Sequence, residues 1–425
     1  MASTAASHHG PVDQVVTVAD VIRDEAVQTV FQPIVDLVTG DVVAHEALSR
    51  GPEGPLQSPA AMFGAARSAG LLAELDRACL TAALRAAGTH FDSPSMVFVN
   101  VEPEVLDFSS VGALASSVDT TSGVRVVLEV TERAVAARPA ELLTTVARVR
   151  ELGWGIALDD VGADSASLAF MPFLLPDVIK LDLELVQGIP TRATAEVMHA
   201  VNAHAERSGA WVLAEGIETE SHLTAARAFG ATLGQGWMFG RPAPMPVSTT
   251  HAGLELPRGD STRGAGRSQS PFSLLPPGTR ILRSPKRLLI ELSKQLESEA
   301  ARIGETCVIT AAFQEARHFT SATQTRYGEL AQRTGFVCAL GEGLPEEPMP
   351  GVRGATLRDD DPLRGEWDVT VLSPHFSTAL LARDLGDDGP DLDRMFEYAL
   401  TYERDTVVEA TRCLLSRVTG LGSAT

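Results

Sequence analysis

The sequence predicts an α/β fold: a TIM-type (β/α) barrel with an antiparallel strand near its start, followed by a smaller C-terminal α/β or α+β domain. Three observations carry this expectation. Short, near-continuous apolar strands alternate with helical stretches from residue 11 to residue 245, the pattern of a parallel sheet covered by helices. About eight such strands suit a closed barrel better than an open doubly wound sheet. No glycine-rich phosphate loop follows the first strand, which counts against a dinucleotide-binding open sheet.

Residues 11–27 read as a lead-in helix, after a disordered tail over 1–10. Val30 to Leu37 is a strand, and Thr39-Gly40 turns the chain into a second strand that ends Glu46-Ala47-Leu48-Ser49-Arg50. So short a connection makes these two an antiparallel hairpin. A helical pair follows at 58–69 and 71–88, with Leu71, Leu75, Cys79 and Leu80 on one face. Later strands are Met96 to Val101, Arg125 to Glu132, Gly155 to Asp160, Asp177 to Asp182, Trp211 to Gly216 and Thr232 to Trp237. Helices near 138–152, 192–208 and 219–229 lie between them.

Bulk properties exclude several classes. A chain of 425 residues holds roughly two or three domains. No long uninterrupted apolar window appears, so no membrane span is expected. The N-terminus lacks the basic and apolar regions of a signal peptide, which points to a cytoplasmic protein. A net charge of −20 argues against a duplex nucleic-acid partner. The four cysteines are scattered through apolar sequence and read as buried thiols, and the ten histidines form no metal-binding pattern. Lysine is scarce: Lys180 is the only one before Lys286.

The chemistry is expected at the strand ends. Glu46, Asn100, Glu129, Asp159, Asp160, Lys180, Glu215 and Gln235 each close a strand, and in a barrel they face one mouth. Carboxylates this dense repel unless cations neutralise them. An oxygen-rich donor set suits hard divalent ions such as Mg²⁺ or Mn²⁺. The adjacent Asp159 and Asp160 allow one carboxylate to bridge two ions, the apparatus used for phosphodiester hydrolysis.

These residues resemble the EAL domain, the cyclic-di-GMP phosphodiesterase family. The resemblance spans residues 11–245 and rests on Phe31-Gln32-Pro33-Ile34, Glu46 to Arg50, Val99-Asn100-Val101, Leu128 to Glu132, Leu158-Asp159-Asp160, Ile179 to Asp182, Ala214 to Glu218 and Gly234 to Trp237. It implies metal-dependent hydrolysis of cyclic-di-GMP to linear pGpG. Glu46, Asn100, Glu129 and Asp159 would hold one metal. Asp159 and Asp160 would hold a second, with Glu215 reaching it through water. Lys180 would orient the attacking water, Arg50 would bind a phosphate, Gln32 would contact a guanine and Gln235 would complete the site. Glu132 would brace the loop after Asp160, which in the family also helps form a homodimer through the barrel. That loop departs from the family: Val161-Gly162-Ala163-Asp164 stands where Phe-Gly-Thr-Gly is usual. The departure implies altered activity, and the alternative is a non-catalytic cyclic-di-GMP receptor.

Residues 246–278 are rich in Ser, Thr, Gly, Pro and Arg and read as a flexible linker. Over 279–418 the expectations are a helix opening at Ser284-Pro285 with Leu288, Leu292 and Leu296 as its apolar stripe, then strands at Thr306 to Phe313, Gly335 to Leu340 and Trp367 to Leu372. A helix falls at Tyr327 to Ala331 and a long one over Asp391 to Leu415. Ala312-Phe313-Gln314, Arg326-Tyr327, Asp361-Pro362-Leu363, Glu366-Trp367 and Phe396 to Tyr402 resemble the DICT domain, a sensory module. The resemblance implies a sensor that tunes the barrel in response to an unidentified signal.

Overall fold

Strand β1 (Gln28–Asp36) runs down the barrel wall and β2 (Val42–Arg50) runs back up it, so the first pair is antiparallel. The turn between them works because Asp36 accepts from the Val38 and Thr39 amides and Gly40 takes φ +78°. From β2 on, every pairing is parallel: β3 (Met96–Asn100), β4 (Arg125–Val130), β5 (Gly155–Val161), β6 (Val178–Leu181), β7 (Trp211–Ala214) and β8 (Leu233–Gln235). β8 closes antiparallel onto β1, giving an eight-stranded barrel in sequence order. The structure is a computed structural model and describes residues 16–91, 95–102, 124–131, 136–164, 166–244 and 269–420.

The barrel helices are α1 (Val18–Arg23), α2 (Pro59–Ala69), α3 (Leu72–His90), α4 (Pro139–Glu151), α5 (Ala166–Leu174), α6 (Leu183–Gln187), α7 (Arg192–Ser208) and α8 (Glu220–Ala228). The lead-in helix is shorter than its expected 11–27. Thr17 caps it, and it stops at Asp24-Glu25, where Glu25 takes φ +49°; residues 11–15 lie outside the described chain. Ile34, Ala44, Met96, Phe98, Val127, Ala157, Val178, Leu213 and Leu233 fill the barrel interior. No helix among the described residues is long and apolar enough to cross a membrane.

The C-terminal domain is a seven-stranded mixed sheet. In chain order its elements are β9 (Leu282–Pro285), α9 (Lys286–Ile303), β10 (Val308–Glu315), α10 (Ser321–Ala331), β11 (Phe336–Glu342), β12 (Arg353–Ala355), β13 (Glu366–Leu372), β14 (Ser377–Asp384), β15 (Met395–Thr401) and α11 (Arg404–Leu415). Sheet alternation sends Ile309, Ala311, Val337, Ala339, Val369 and Val371 to one face, under α9 and α10. Val308, Ala312, Phe336, Cys338, Leu340 and Leu372 go to the other, where they join α11 and the outer core of the barrel.

Three expectations need correction here. The helix over Asp391 to Leu415 is a strand followed by a helix. Met395, Tyr398 and Tyr402 fit a helical period, but Phe396, Tyr398 and Leu400 also alternate, and pairing with β14 and β9 decides for the strand. Ser284 does not cap a helix: it pairs with Phe396, and Pro285 stands before α9 without a side-chain cap. Leu288 is exposed while Leu289 and Leu296 are buried, so the stripe is rotated. The expected linker also ends early. Ser270 and Phe272 are buried against β13, where Ser270 Oγ and the Phe272 amide (3.1 Å) donate to Glu366, and residues 245–268 are outside the described chain.

Candidate active site

Strand periodicity builds the site. Side chains two residues apart share a face. Each candidate on the eight strands stands two positions from an interior apolar residue: Gln32 from Ile34, Glu46 from Ala44, Asn100 from Phe98, Glu129 from Val127, Asp159 from Ala157, Lys180 from Val178, Glu215 from Leu213 and Gln235 from Leu233. Since β1 runs opposite to the others, its candidate precedes the apolar residue and theirs follow. All eight therefore stack as one polar layer above the apolar one, at the mouth where the parallel strands end.

Lys180 holds the centre and is buried. Its Nζ lies 2.6 Å from Glu129 Oε1, 2.8 Å from Glu215 Oε1, 3.0 Å from Asp159 Oδ1 and 3.7 Å from Glu46 Oε1. Glu46 is held from the other side: Gln235 Nε2 donates to it at 2.6 Å and Asn100 Nδ2 at 3.0 Å. Gln235 Nε2 also donates to Gln32 Oε1 at 3.1 Å, and Gln32 Nε2 donates to the Gly240 carbonyl at 3.2 Å. One network thus joins the candidates of all eight strands.

Its charges are out of balance. Burial lowers the Lys180 pKa, but the surrounding carboxylates outweigh it and hold the ammonium well above its ordinary value. Burial pushes Glu129 well up, and the Glu46 charge adds to it. Burial also pushes Glu215 up to about 7, against the pull of Lys180. Glu46 goes the other way: burial is overcome by Lys180 and by the Gln235 and Asn100 donors. One ammonium faces four carboxylates.

Glu129 Oε2 is buried with no hydrogen-bond donor among the described residues, and the buried Glu129 Oε1 and Asp159 Oδ1 are met by the Lys180 ammonium. Buried acceptors left this way suit a hard cation, as does the all-oxygen donor set. Among the described residues no three acidic side chains already converge as a ligand set, because Lys180 gathers them. The donor chemistry fits divalent ions.

Three candidates remain. Asp160 is half-buried on a bulge in β5, where the register with β6 shifts between Leu158 and Val161 and Asp160 takes φ +54°. Arg50 is half-buried and its Nη1 donates to the Ser49 carbonyl at 2.8 Å. Glu132 lies outside the described residues.

Sequence reasoning missed two supports. Asp76 accepts from the Glu102 amide at 3.0 Å, two residues past Asn100, and burial pushes its carboxyl up to about 7. An acid next to Leu75 on the apolar face of α3 was the available signal. Gln187 Nε2 donates to the Gly216 carbonyl at 2.7 Å and fixes the turn after Glu215.

A family model described as the EAL domain matches residues 16–242. A second model, a sensory domain of diguanylate cyclases and two-component systems, matches residues 269–385. A cyclic di-GMP phosphodiesterase of Pseudomonas aeruginosa, NbdA, is 31% identical over 235 residues, covering 53% of this chain and 30% of that protein. A probable cyclic di-GMP phosphodiesterase of Escherichia coli, PdeB, is 29% identical over 232 residues, covering 53% of this chain and 44% of that protein. The chain spans less than half the length of these relatives. Klebsiella pneumoniae BlrP1, solved as a manganese and cyclic di-GMP complex, is 30% identical with a TM-score of 0.47, covering 51% of this chain and 56% of that one.

Proposed function

Because the chain belongs to the EAL-domain family, we propose that it hydrolyses cyclic di-GMP to linear pGpG with two divalent cations, Mg²⁺ or Mn²⁺, under the control of its C-terminal domain. The observation that carries this reading is the buried excess of carboxylates around Lys180 at the mouth. Glu46, Asn100, Glu129 and Asp159 would hold one ion. Asp159 and Asp160 would hold the other, with Glu215 reaching it through water. When bound, the ions supply Lewis acidity toward the phosphate and make water a stronger acid.

The chain's own groups do the rest. Lys180, a compact cation with three donors, orients the attacking water in line with the phosphorus. Arg50 pairs with a phosphate and offsets its charge. Gln32 contacts a guanine, and Gln235 keeps Glu46 ionised and aimed inward. The water oxygen bonds to phosphorus, the ester bond to the 3′ oxygen breaks, and a proton passes to that leaving oxygen. Glu132 would brace the loop behind Asp160.

The test is turnover of cyclic di-GMP by the full chain with Mg²⁺, with Mn²⁺ and with EDTA, beside Glu46→Ala. Formation of pGpG that needs metal and disappears in the variant is the expected result. Saturable binding without turnover would replace the enzyme by a receptor. Two observations favour that second reading: the altered loop Val161 to Asp164, and the pairing of the carboxylates with Lys180.

A further inference from the structure

The segment that follows the paired aspartates is tied, step by step, to the C-terminal domain. The Ala163 amide donates to the Asp160 carbonyl at 3.2 Å. Asp164 bridges back to Val161. The Asp164 carbonyl then accepts from Ser167 twice, from its amide at 3.2 Å and from its Oγ at 2.7 Å. Ser167 lies in the first turn of α5, so Asp164, bridged to Val161 at the end of the bulge, is hydrogen-bonded to that helix.

α5 has almost no exposed surface. Ser167 to Leu174 are all buried, which is unusual for a barrel helix, whose outer face normally meets solvent. The C-terminal domain is what covers it. The Phe170 ring meets the Phe336 ring of β11 edge-on, 6.0 Å between centroids. A methyl group on Gly335 would sit 3.0 Å from the Ala169 side chain. α11 packs on α5 as well, within a hydrophobic core shared by both domains. Nearby, Arg353 of β12 donates to the Ala136 and Ala137 carbonyls, each at 2.9 Å, ahead of α4.

A bulged residue with positive φ holds its place only when its surroundings fix it. We propose that the C-terminal domain supplies that fixation. Phe336 is a positioning residue for Asp160: through Phe170 and α5 it sets the bulge at which the second divalent ion would be held. Because the contact comes from the same chain, a signal that shifts β11 or α11 would change the geometry of Asp160 without touching Lys180 or Glu129. The metal half of this inference rests on the proposed phosphodiesterase; the mechanical half does not.

The experiment uses the full chain carrying Phe336→Ala, with Phe336→Leu as the conservative variant. Val369→Ala, in the other core of the same domain, is the control. Two quantities are read: hydrogen exchange at the Ala163 and Ser167 amides, and Mn²⁺ binding by calorimetry. In Phe336→Ala, exchange at both amides should rise roughly tenfold or more while β2 and β3 keep theirs. One of two Mn²⁺ affinities should fall about tenfold and the other should hold. Phe336→Leu should restore most of both, and the control should move neither. Unchanged exchange in Phe336→Ala, or an equal rise in the control, overturns the proposal whatever the metal does. Raised exchange in a protein that binds no Mn²⁺ keeps the mechanical coupling and instead removes the phosphodiesterase reading.

Discussion

Lys180 is buried where four carboxylates approach it, and each of them needs that charge. Replacing it with Met keeps the volume and removes the compensation. Taking one partner from a buried charge group costs about 3–5 kcal/mol, because the other partners stay desolvated. Lys180→Met should therefore lose about that much stability in metal-free buffer, read by urea denaturation. Mn²⁺ should raise its melting temperature more than that of the parent, since a bound cation replaces the missing charge. Turnover should fall by about a hundredfold or more even with metal, because the donor to the attacking water is gone. A metal-free variant as stable as the parent would sink this account of the cluster. The special standing of Lys180 was legible in the sequence, since no other lysine precedes Lys286 and it closes a strand. Asp76 was harder to see. An acid inside a helix usually meets solvent, and only the fold shows it holding the Glu102 amide.

At the scale of elements, period-two alternation was the readable signal. It fixed which residue of each strand faces the mouth, because each candidate follows an interior apolar residue by two, or precedes it in the reversed β1. The bulge at Asp160 broke that regularity and could not be read, since it depends on register with β6. β15 was misread because Met395, Tyr398 and Tyr402 fit a helical stripe, while Phe396, Tyr398 and Leu400 in the same seven-residue strand alternate. Just past the bulge stands a glycine with a definite task. Gly162 takes φ +106°, and a Cβ there would lie 2.1 Å from the Leu185 side chain. Gly162→Ala should destabilise the chain by about 1–3 kcal/mol through backbone strain and collision together. Adding Leu185→Ala should return only the part due to collision. A single variant that melts with the parent would show that the loop relaxes freely, and the bulge would then not be held by its surroundings.

At the scale of the whole molecule, the two domains share one core and also one cluster of histidines and arginines. Beside α7 the joint gathers His199, His204 and Arg207 from the barrel with His375 and Arg404 from the C-terminal domain. His199 Nδ1 and His375 Nε2 are 2.8 Å apart, Arg207 donates to the Pro374 carbonyl at 2.8 Å, and Arg404 donates to the Ser373 carbonyl at 3.0 Å. None of this was legible in the sequence, where His199 and His375, and Arg207 and Pro374, are separated by more than 160 positions and no motif joins them. Burial pushes His204 down to about 4, helped by Arg207 and Arg404, and burial with the His199 charge pushes His375 down as well. The sign follows from linkage. The unfolded chain protonates these imidazoles near pH 6.5, while the folded chain keeps His204 neutral to about 4, so stability is lost as pH falls through that interval. Between pH 7 and pH 5, His204 alone should contribute a loss of about 2 kcal/mol. His204→Leu should remove that share, so the stability difference between parent and variant should shift by about 2 kcal/mol in the variant's favour on going to pH 5. Comparing the two proteins cancels groups of opposite sign, such as Asp76, whose raised pKa makes acid stabilising. A difference that stays constant from pH 7 to pH 5 would mean that His204 already takes up its proton in the folded joint, and the domain contact would then carry no acid sensitivity at this residue.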